Sequence, residues 1–274
     1  MHRLIPNLAI ITMLFYAAVP LHSQDTVFKS GTANASLVEL YSSEGCSSCP
    51  PAEALTNKLK DAPGLWKDLF PVVFHVDYWD NLGWADRFAR SEYSQRQQNY
   101  AAHLGQNSVY TPEFIVNGLE WRRSLFSRQA FASTGAQKSG ELSLTVRRKD
   151  GKISALYLPA SSDPKQPFVL NVALLGFNLI TDVQRGENGG RRLDHEFVVL
   201  GFSSTQLNSA TDKGFQSDPI ELKSSTDDSP GAVVAWVSGG DGSIVQIAGG
   251  WLKPSNSSAS ASTETGGTTP PSLR

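Results

Sequence analysis

The only two cysteines of this 274-residue chain stand two residues apart, in the segment Cys46-Ser47-Ser48-Cys49. A pair with this spacing has three common uses: a disulfide that shuttles electrons, part of a metal site, or a structural cross-link. A cross-link between Cys46 and Cys49 would close a very short loop, and short loops remove little conformational entropy from the unfolded chain. The pair is therefore better explained by chemistry than by stabilisation.

The position of the pair favours dithiol chemistry. An apolar predicted strand, residues 36–42, precedes the pair, and Pro50, which suits the first turn of a helix, follows it. A thiolate at the start of a helix is stabilised by free backbone N–H groups and by the helix dipole. We therefore predict that Cys46 is the attacking thiol and the more acidic and more exposed of the two. Cys49 would then resolve the mixed disulfide.

Metal binding is the main alternative, because a CxxC motif is also half of many zinc sites. The chain has no second CxxC motif, and two of its five histidines, His2 and His22, lie in a predicted signal peptide. His75 and His103 could complete a site with the cysteines. A copper or zinc carrier built on the CxxC motif therefore stays open, although the dithiol interpretation itself requires no metal and no bound cofactor beyond a Cys46–Cys49 disulfide.

Strands and helices alternate around the pair. Because helices join the first predicted strands, these strands should be parallel. Asn117-Gly118 is typical of a tight hairpin turn between two short strands. The elements predicted after the first strand are a helix from Pro50 to about residues 62–64, a strand over 71–79, a helix over 86–104, strands over 114–116 and 119–121, and a short helix over 125–132.

The pattern changes to strands alone from Gly140 onward. Asp150-Gly151 is a hairpin signal, and about seven apolar strands separated by Gly, Ser, Asp and Pro predict an all-β, sandwich-like fold. We therefore expect two domains, over residues 34–135 and 140–253, with the boundary at 132–139.

The two ends of the chain indicate export. Met1-His2-Arg3 is a short basic start, residues 4–19 are almost wholly apolar, and small Ser23 follows a polar turn. This is the layout of a signal peptide over residues 1–23, which predicts a periplasmic or secreted protein with no stable membrane insertion after cleavage. The tail, residues 254–274, is Ser-, Thr-, Gly- and Pro-rich and is predicted to be disordered. The net charge is −2 and the sequence has no basic stripe, so nucleic acid is not an expected partner.

A strand, a CxxC motif and a helix, followed by Thr111-Pro112 ahead of a hairpin, resemble the thioredoxin fold. The resemblance implies an α/β thioredoxin-like domain over 34–135, followed by the all-β domain. It also implies that Thr111–Pro112 is a cis bond beside the dithiol. Pro112 would then present the substrate, with the neighbouring backbone at Thr111 pairing with it.

Four stretches carry a narrower resemblance that covers residues 37–252. They are LVELYSSEGCSSCPPAE, HVDYWDNLGW, VYTPEFIVNG and RGENGGRRLDHEFVV. Together they resemble a family of secreted bacterial proteins, similar to thioredoxins and catalogued as domain of unknown function 1223. The chain departs from thioredoxin itself: Gly45 rather than Trp precedes the first cysteine, and Ser47-Ser48 separates the pair. Because these residues help to set the redox potential, oxidant, reductant and isomerase all stay open.

Further candidates surround the motif. Glu39 precedes Cys46 by seven residues, and as a buried acid it could move the proton of Cys49. Asp77 is a weaker candidate for the same role. The aromatic residues Trp79, Trp84 and Tyr110 could line a peptide-binding groove, or could simply be core.

The glycine-rich, charged segment 185–196 has two interpretations. It is either a solvated loop or a loop placed against the dithiol, with Arg191 or His195 near the sulfurs.

The sequence thus predicts an exported thiol–disulfide oxidoreductase that acts on protein or peptide thiols and needs a redox partner protein. Cys46, Cys49, Pro112 and Glu39 are its predicted catalytic residues, and Thr111, Tyr110 and Trp79 its predicted substrate-binding residues. The alternatives are the metal carrier and a non-catalytic binding protein on a thioredoxin scaffold.

Overall fold

The computed structural model describes residues 24–31, 35–122, 131, 140–160, 167–210 and 214–253. The predicted signal peptide, the predicted tail and all but one residue of the predicted helix 125–132 lie outside these ranges. No helix in the described ranges is long and apolar enough to cross a membrane.

Strands dominate the described residues. The two α-helices are α1 (Pro50–Asn57) and α2 (Ser91–His103), and 3-10 turns cover Lys58–Asp61 and Asp77–Leu82. The strands are β1 (Thr26–Lys29), β2 (Ser36–Ser42), β3 (Leu69–His75), β4 (Glu113–Val116), β5 (Leu119–Glu120), β6 (Glu141–Val146), β7 (Ile153–Leu158), β8 (Val169–Gly176), β9 (Leu179–Asp182), β10 (Arg192–His195), β11 (Val198–Gln206), β12 (Asn208–Ser209), β13 (Phe215–Gln216), β14 (Ala232–Ser238) and β15 (Ile244–Trp251).

One mixed sheet runs through both halves of the chain. Its eight strands follow the order β15-β14-β8-β11-β3-β2-β4-β5. β2 and β3 are parallel, as expected from the helix between them, and β4 is antiparallel to β2. The join between the halves is the parallel contact of β11 with β3, where Val198 stands opposite Val73 and the Val73 N–H donates to the Phe197 carbonyl at 2.9 Å.

The predicted fold class is therefore wrong. An α/β thioredoxin-like domain followed by an all-β domain would keep two separate sheets, but β3 pairs directly with β11 from the later part of the chain. The fold is mostly β, with a large mixed sheet, an antiparallel sheet and few helices. The physical reason is that β3 still has an unpaired edge after pairing with β2, and β11 supplies the hydrogen-bonding partners that a buried strand requires.

A second, antiparallel sheet packs against part of the first. Its strand order is β1-β6-β7-β13-β12. β14 is apolar on both faces because it lies between two core clusters. Its successive side chains point to opposite faces of the sheet, so alternate residues enter different clusters. One face contributes Ala232, Val234 and Trp236 to the cluster around β2 and β3, and the other contributes Val233, Ala235 and Val237 to the cluster between the sheets.

Strand geometry brings the chemically interesting segments together. Because β2 and β3 are parallel, their carboxyl ends meet at one edge of the sheet, where Ser42 stands opposite His75. The CxxC segment leaves β2 at this edge, and β10 ends beside α1 at His195. This edge of the sheet therefore carries the candidate site.

Candidate functional site

Tight turns hold the two cysteines at the start of α1. The Cys46 N–H donates to the Ser43 carbonyl at 3.1 Å, and the Cys49 N–H donates to the Cys46 carbonyl at 3.2 Å. Cys49 is the N-cap residue, and its carbonyl accepts from the N–H groups of Ala52 and Glu53. Proline at the first helical positions needs no N–H partner, so the sequence Cys-Pro-Pro starts the helix directly after the second thiol.

The two sulfurs are free thiols in unequal environments. A hydrogen bond with Cys49 is the largest influence on Cys46 and lowers its pKa to about 6, although burial opposes the shift. The Ser48 hydroxyl, 3.3 Å from the Cys46 sulfur, lowers this pKa further. Burial raises the pKa of Cys49 well above its usual range. Of the two, Cys46 therefore carries the thiolate near neutral pH.

The predicted difference in exposure between the two cysteines is not seen, because both residues are 0 % exposed. Ser47 and Ser48 between them are exposed. The Asn188 side-chain amide donates to the carbonyls of Glu44 and Cys46, at 2.9 Å each, and the Glu187 carboxylate accepts from the Ser47 N–H at 3.1 Å. These contacts place the segment 185–191 over the backbone of the CxxC motif.

Of the two interpretations of segment 185–196, the structure has the placement against the CxxC motif, but through Glu187 and Asn188 rather than through Arg191 or His195 near the sulfurs. Arg191 reaches the motif indirectly, because its guanidinium donates to the Asn188 side-chain oxygen at 2.8 Å. His195 lies deeper and contacts two carboxylates, described below. Gly83 and Gly186 permit the close approach of the loop: a Cβ on Gly83, where φ is +108°, would lie 3.3 Å from the Gly186 Cα.

Thr111, which precedes Pro112, faces the dithiol. The prediction of a cis Thr111–Pro112 bond is confirmed, and the Thr111 carbonyl oxygen lies 3.8 Å from the Cys46 sulfur. The Trp79 indole N–H donates to the Thr111 hydroxyl at 2.8 Å, so the structure brings Trp79, Thr111 and the thiols together. From α2, the Gln97 side-chain amide donates to the Tyr110 carbonyl at 2.7 Å and fixes this segment. The Tyr110 side chain is exposed and donates to Glu120.

The two candidate acids lie in other networks. Glu39 is fully buried and accepts from the Arg96 guanidinium at 2.8 Å and from the Tyr100 hydroxyl at 2.5 Å. Asp77 accepts from the Ser94 hydroxyl and links the turn after β3 to α2. Trp84 donates to a Glu44 carboxylate oxygen at 2.7 Å.

A buried network of charged residues lies behind Cys49, and sequence reasoning missed most of it. Glu53 accepts from the Ser42 hydroxyl and contacts His195 Nδ1, and Ser42 in turn interacts with the Cys49 thiol. Burial opposes ionisation of Glu53, but His195 outweighs it and lowers the pKa of Glu53 to about 2. Burial also opposes the charged form of His195, but Glu53 raises its pKa to about 10.

His75 and Asp86 extend this network. His75 Nδ1 lies 2.7 Å from the Asp86 carboxylate, and Asp86 also accepts from the Glu44 N–H at 2.8 Å. Two signals for this network were available in the sequence. Glu53 follows Cys49 by four residues, which puts both on one side of α1, and His75 ends an apolar strand. Nothing local shows that β10 brings His195 to the same place.

The thiol environments predict a sharp difference in alkylation. In the reduced parent protein, modification of Cys46 by iodoacetamide should be half-maximal at about pH 6, since the thiolate reacts. Cys49 should stay protonated and unmodified at these pH values. Peptide mapping by mass spectrometry measures both rates at once. In Cys49→Ala the hydrogen bond is lost, so the midpoint for Cys46 should rise toward the ordinary value of ~8.5. Equal rates at both cysteines would contradict the assignment.

The family model described as protein of unknown function (DUF1223) matches residues 37–238, which include the CxxC motif, Pro112 and His195. The chain belongs to this family. The family predicted from the sequence is thereby confirmed. Among curated proteins, none matches this DUF1223 chain significantly.

Two solved structures share the fold of this DUF1223 chain. Protein AGR_C_4864 from Agrobacterium tumefaciens is 22% identical, with a TM-score of 0.53 over 77% of this chain and 90% of that one. HBP35 of Porphyromonas gingivalis is 17% identical, with a TM-score of 0.55 over 88% of this chain and 81% of that one. At these identities the likeness concerns the fold alone.

Proposed function

We propose that this protein is an exported thiol–disulfide oxidoreductase that acts on protein or peptide thiols and disulfides. The observation that carries the proposal is the placement of the two cysteines at the start of α1, with the Cys46 sulfur 3.8 Å from the Thr111 carbonyl oxygen, and their unequal acidities support it. Cys46 has its pKa lowered to about 6 by its contact with Cys49, while burial keeps Cys49 protonated. An attacking thiol with a pKa near ambient pH combines a high thiolate fraction with good nucleophilicity.

The reaction balances over two displacements. The Cys46 thiolate attacks one sulfur of a substrate disulfide, forming a mixed disulfide and releasing the other substrate sulfur as a thiolate, which takes a proton from solvent. Cys49 then attacks the Cys46 sulfur as its proton passes through solvent to the departing substrate thiolate. This step forms the Cys46–Cys49 disulfide and releases the second substrate thiol. The dithiol of a redox partner protein then reduces the Cys46–Cys49 disulfide by the same exchange and is itself oxidised to a disulfide; in the opposite direction, the Cys46–Cys49 disulfide oxidises two substrate thiols and a partner disulfide restores it.

Substrate approach requires movement, because the Cys46 sulfur is covered. The contact at the surface is the exposed hydrogen bond between the Ser47 N–H and Glu187. The Thr111 carbonyl, 3.8 Å from the sulfur, offers a backbone acceptor to an extended peptide. Trp79 is half-buried and hydrogen-bonded to Thr111, so its ring provides an aromatic surface beside the Thr111 carbonyl.

Trapping of the mixed disulfide tests this proposal. Without the resolving thiol, Cys49→Ala should accumulate a covalent adduct at Cys46 when it is mixed with a peptide disulfide. Cys46→Ala, its matched control, should form none, because the remaining thiol stays protonated and buried. Mass spectrometry of non-reduced protein identifies the adduct. Absence of an adduct in Cys49→Ala, together with no disulfide reduction or formation by the parent, would refute the proposal.

A further inference from the structure

Behind the dithiol, three potential metal ligands converge in a closed space. The side chains are Glu53, His75 and His195, which are 5 %, 0 % and 1 % exposed. One ligand atom from each lies within 4.8 Å of the others. They come from α1, the end of β3 and the end of β10, so the folded sheet edge, not the local sequence, assembles them.

An unpartnered ring nitrogen points to a missing ligand. Among the described residues, His75 Nε2 is buried without a hydrogen-bond partner, and His195 Nε2 has only a 3.4 Å contact with the Glu44 carboxylate. His75 Nε2 lies 4.0 Å from a Glu53 carboxylate oxygen, which is too far for a hydrogen bond. Ligands of a tetrahedral zinc ion, each ~2.0–2.1 Å from the metal, stand about 3.3 Å apart. A shift of a few tenths of an ångström would let both atoms bind one ion.

The surroundings of His75 fit a metal ligand. Its other ring nitrogen, Nδ1, lies 2.7 Å from the fully enclosed Asp86 carboxylate. Metal-binding histidines usually donate their second N–H to such a carboxylate, which orients the ring and strengthens the ligand. Asp86 is itself fixed by the backbone N–H groups of Glu44 and Phe88.

The charge balance accommodates a cation. Glu44, Glu53 and Asp86 bring three carboxylates into the interior, and buried carboxylates require compensation. Glu44 Oε1 lies 3.4 Å from His195 Nε2 and forms an ion pair with it when the ring is protonated. A divalent ion would take over the positive charge that protonated imidazoles otherwise supply, and would displace their protons.

We propose that Glu53, His75 and one ring nitrogen of His195 form a site for a divalent transition-metal ion, separate from the CxxC motif. Two imidazoles and a carboxylate suit Zn²⁺ best among common ions, with Fe²⁺ the next candidate. Cys46 and Cys49 are not ligands of this site. The site does not depend on dithiol activity, and either property can exist without the other.

Metal stoichiometry tests this site on the full chain. Protein stripped by a chelator and dialysed against ZnCl₂ should retain one equivalent of zinc by mass spectrometry. Cys46→Ala/Cys49→Ala should retain the same equivalent, whereas His75→Gln and His195→Gln should lose it. His103→Gln, which alters an exposed histidine on α2, is the matched control and should behave as the parent. Asp86→Asn should weaken zinc binding by ~10–100-fold.

A second measurement covers variants that fail to fold. Parent protein loaded with Co²⁺ should show ligand-field bands without a thiolate charge-transfer band, before and after alkylation of the cysteines. Zinc should raise the melting temperature of both the parent and the double cysteine variant, since it binds the native state. The proposal is overturned if the parent binds no zinc or cobalt in excess metal, or if binding disappears in the double cysteine variant.

Discussion

Replacing Cys46 with serine is expected to abolish disulfide exchange and to leave the melting temperature within a few degrees of the parent. Disulfide exchange is lost because a serine hydroxyl cannot form a disulfide. Stability is retained because the fold rests on two large apolar clusters. The buried hydroxyl can use the partners of the sulfur, the Ser48 hydroxyl and the Thr111 carbonyl. A cost of ~1 kcal/mol would lower the melting temperature by roughly 2–4 °C for a protein of this size.

Two measurements on the same samples check this expectation: reduction of a test disulfide, and thermal unfolding followed by circular dichroism. Ser47→Ala, at the neighbouring exposed position, is the control and should keep both properties. If the Cys46→Ser variant is unfolded and the parent has no exchange activity, the cysteine pair is structural. If the cysteines of the parent bind a metal ion and the Cys46→Ser variant does not, the metal-carrier alternative is favoured instead.

Local signals in the sequence located most elements of the site. The predicted strand 36–42 is β2, and the helix starts at Pro50 as predicted. Asn117 and Gly118 form the predicted turn, both with positive φ, which these two residue types accept best. Each of these features depends on residues within a few positions of one another, so a single sequence carries enough information to place it.

Features that depend on distant pairing were not predictable in this way. β3 has an apolar run that fits a central strand, but its pattern does not say which strand lies on its second edge. Pairing with β11 merges the two halves into one sheet and overturns the thioredoxin-like fold class. The same pairing carries β10 and His195 to Glu53. The buried charged cluster is therefore a consequence of topology, and its members read as isolated polar residues in the sequence.

Replacing Arg96 with methionine is expected to destabilise the protein by ~3–5 kcal/mol, the usual cost of removing one partner from a buried ion pair. The Arg96 side chain is 15 % exposed and its Glu39 partner 0 % exposed. The guanidinium also lies 5.1–5.5 Å from the rings of Phe74, Tyr100, Phe202 and Trp236. Methionine keeps much of this apolar contact, so the main loss is the charge that balances the Glu39 carboxylate.

Urea unfolding of the parent and the variant measures this free energy of unfolding. Arg147→Met is the matched control, because Arg147 pairs with Asp150 on the surface at 2.8 Å, and exposed pairs contribute ~0–1 kcal/mol. The double variant Glu39→Leu/Arg96→Met should recover much of the lost stability, since no unpaired charge remains in the core. A loss as small as that of the control would show that the pair contributes little.

A further variant, Glu39→Gln, decides what Glu39 does. As the partner of Arg96, Glu39 should be replaceable by glutamine without changing the rate or the pH midpoint of Cys46 alkylation, while stability falls because Arg96 loses its counter-charge. As the acid that moves the proton of Cys49, it should instead slow the resolution of the mixed disulfide at little cost in stability. The contacts of Glu39 with Arg96, Tyr100 and Tyr41 favour the first outcome, because they occupy both carboxylate oxygens. Single-turnover release of the second substrate thiol, measured with folded Glu39→Gln, separates the two roles.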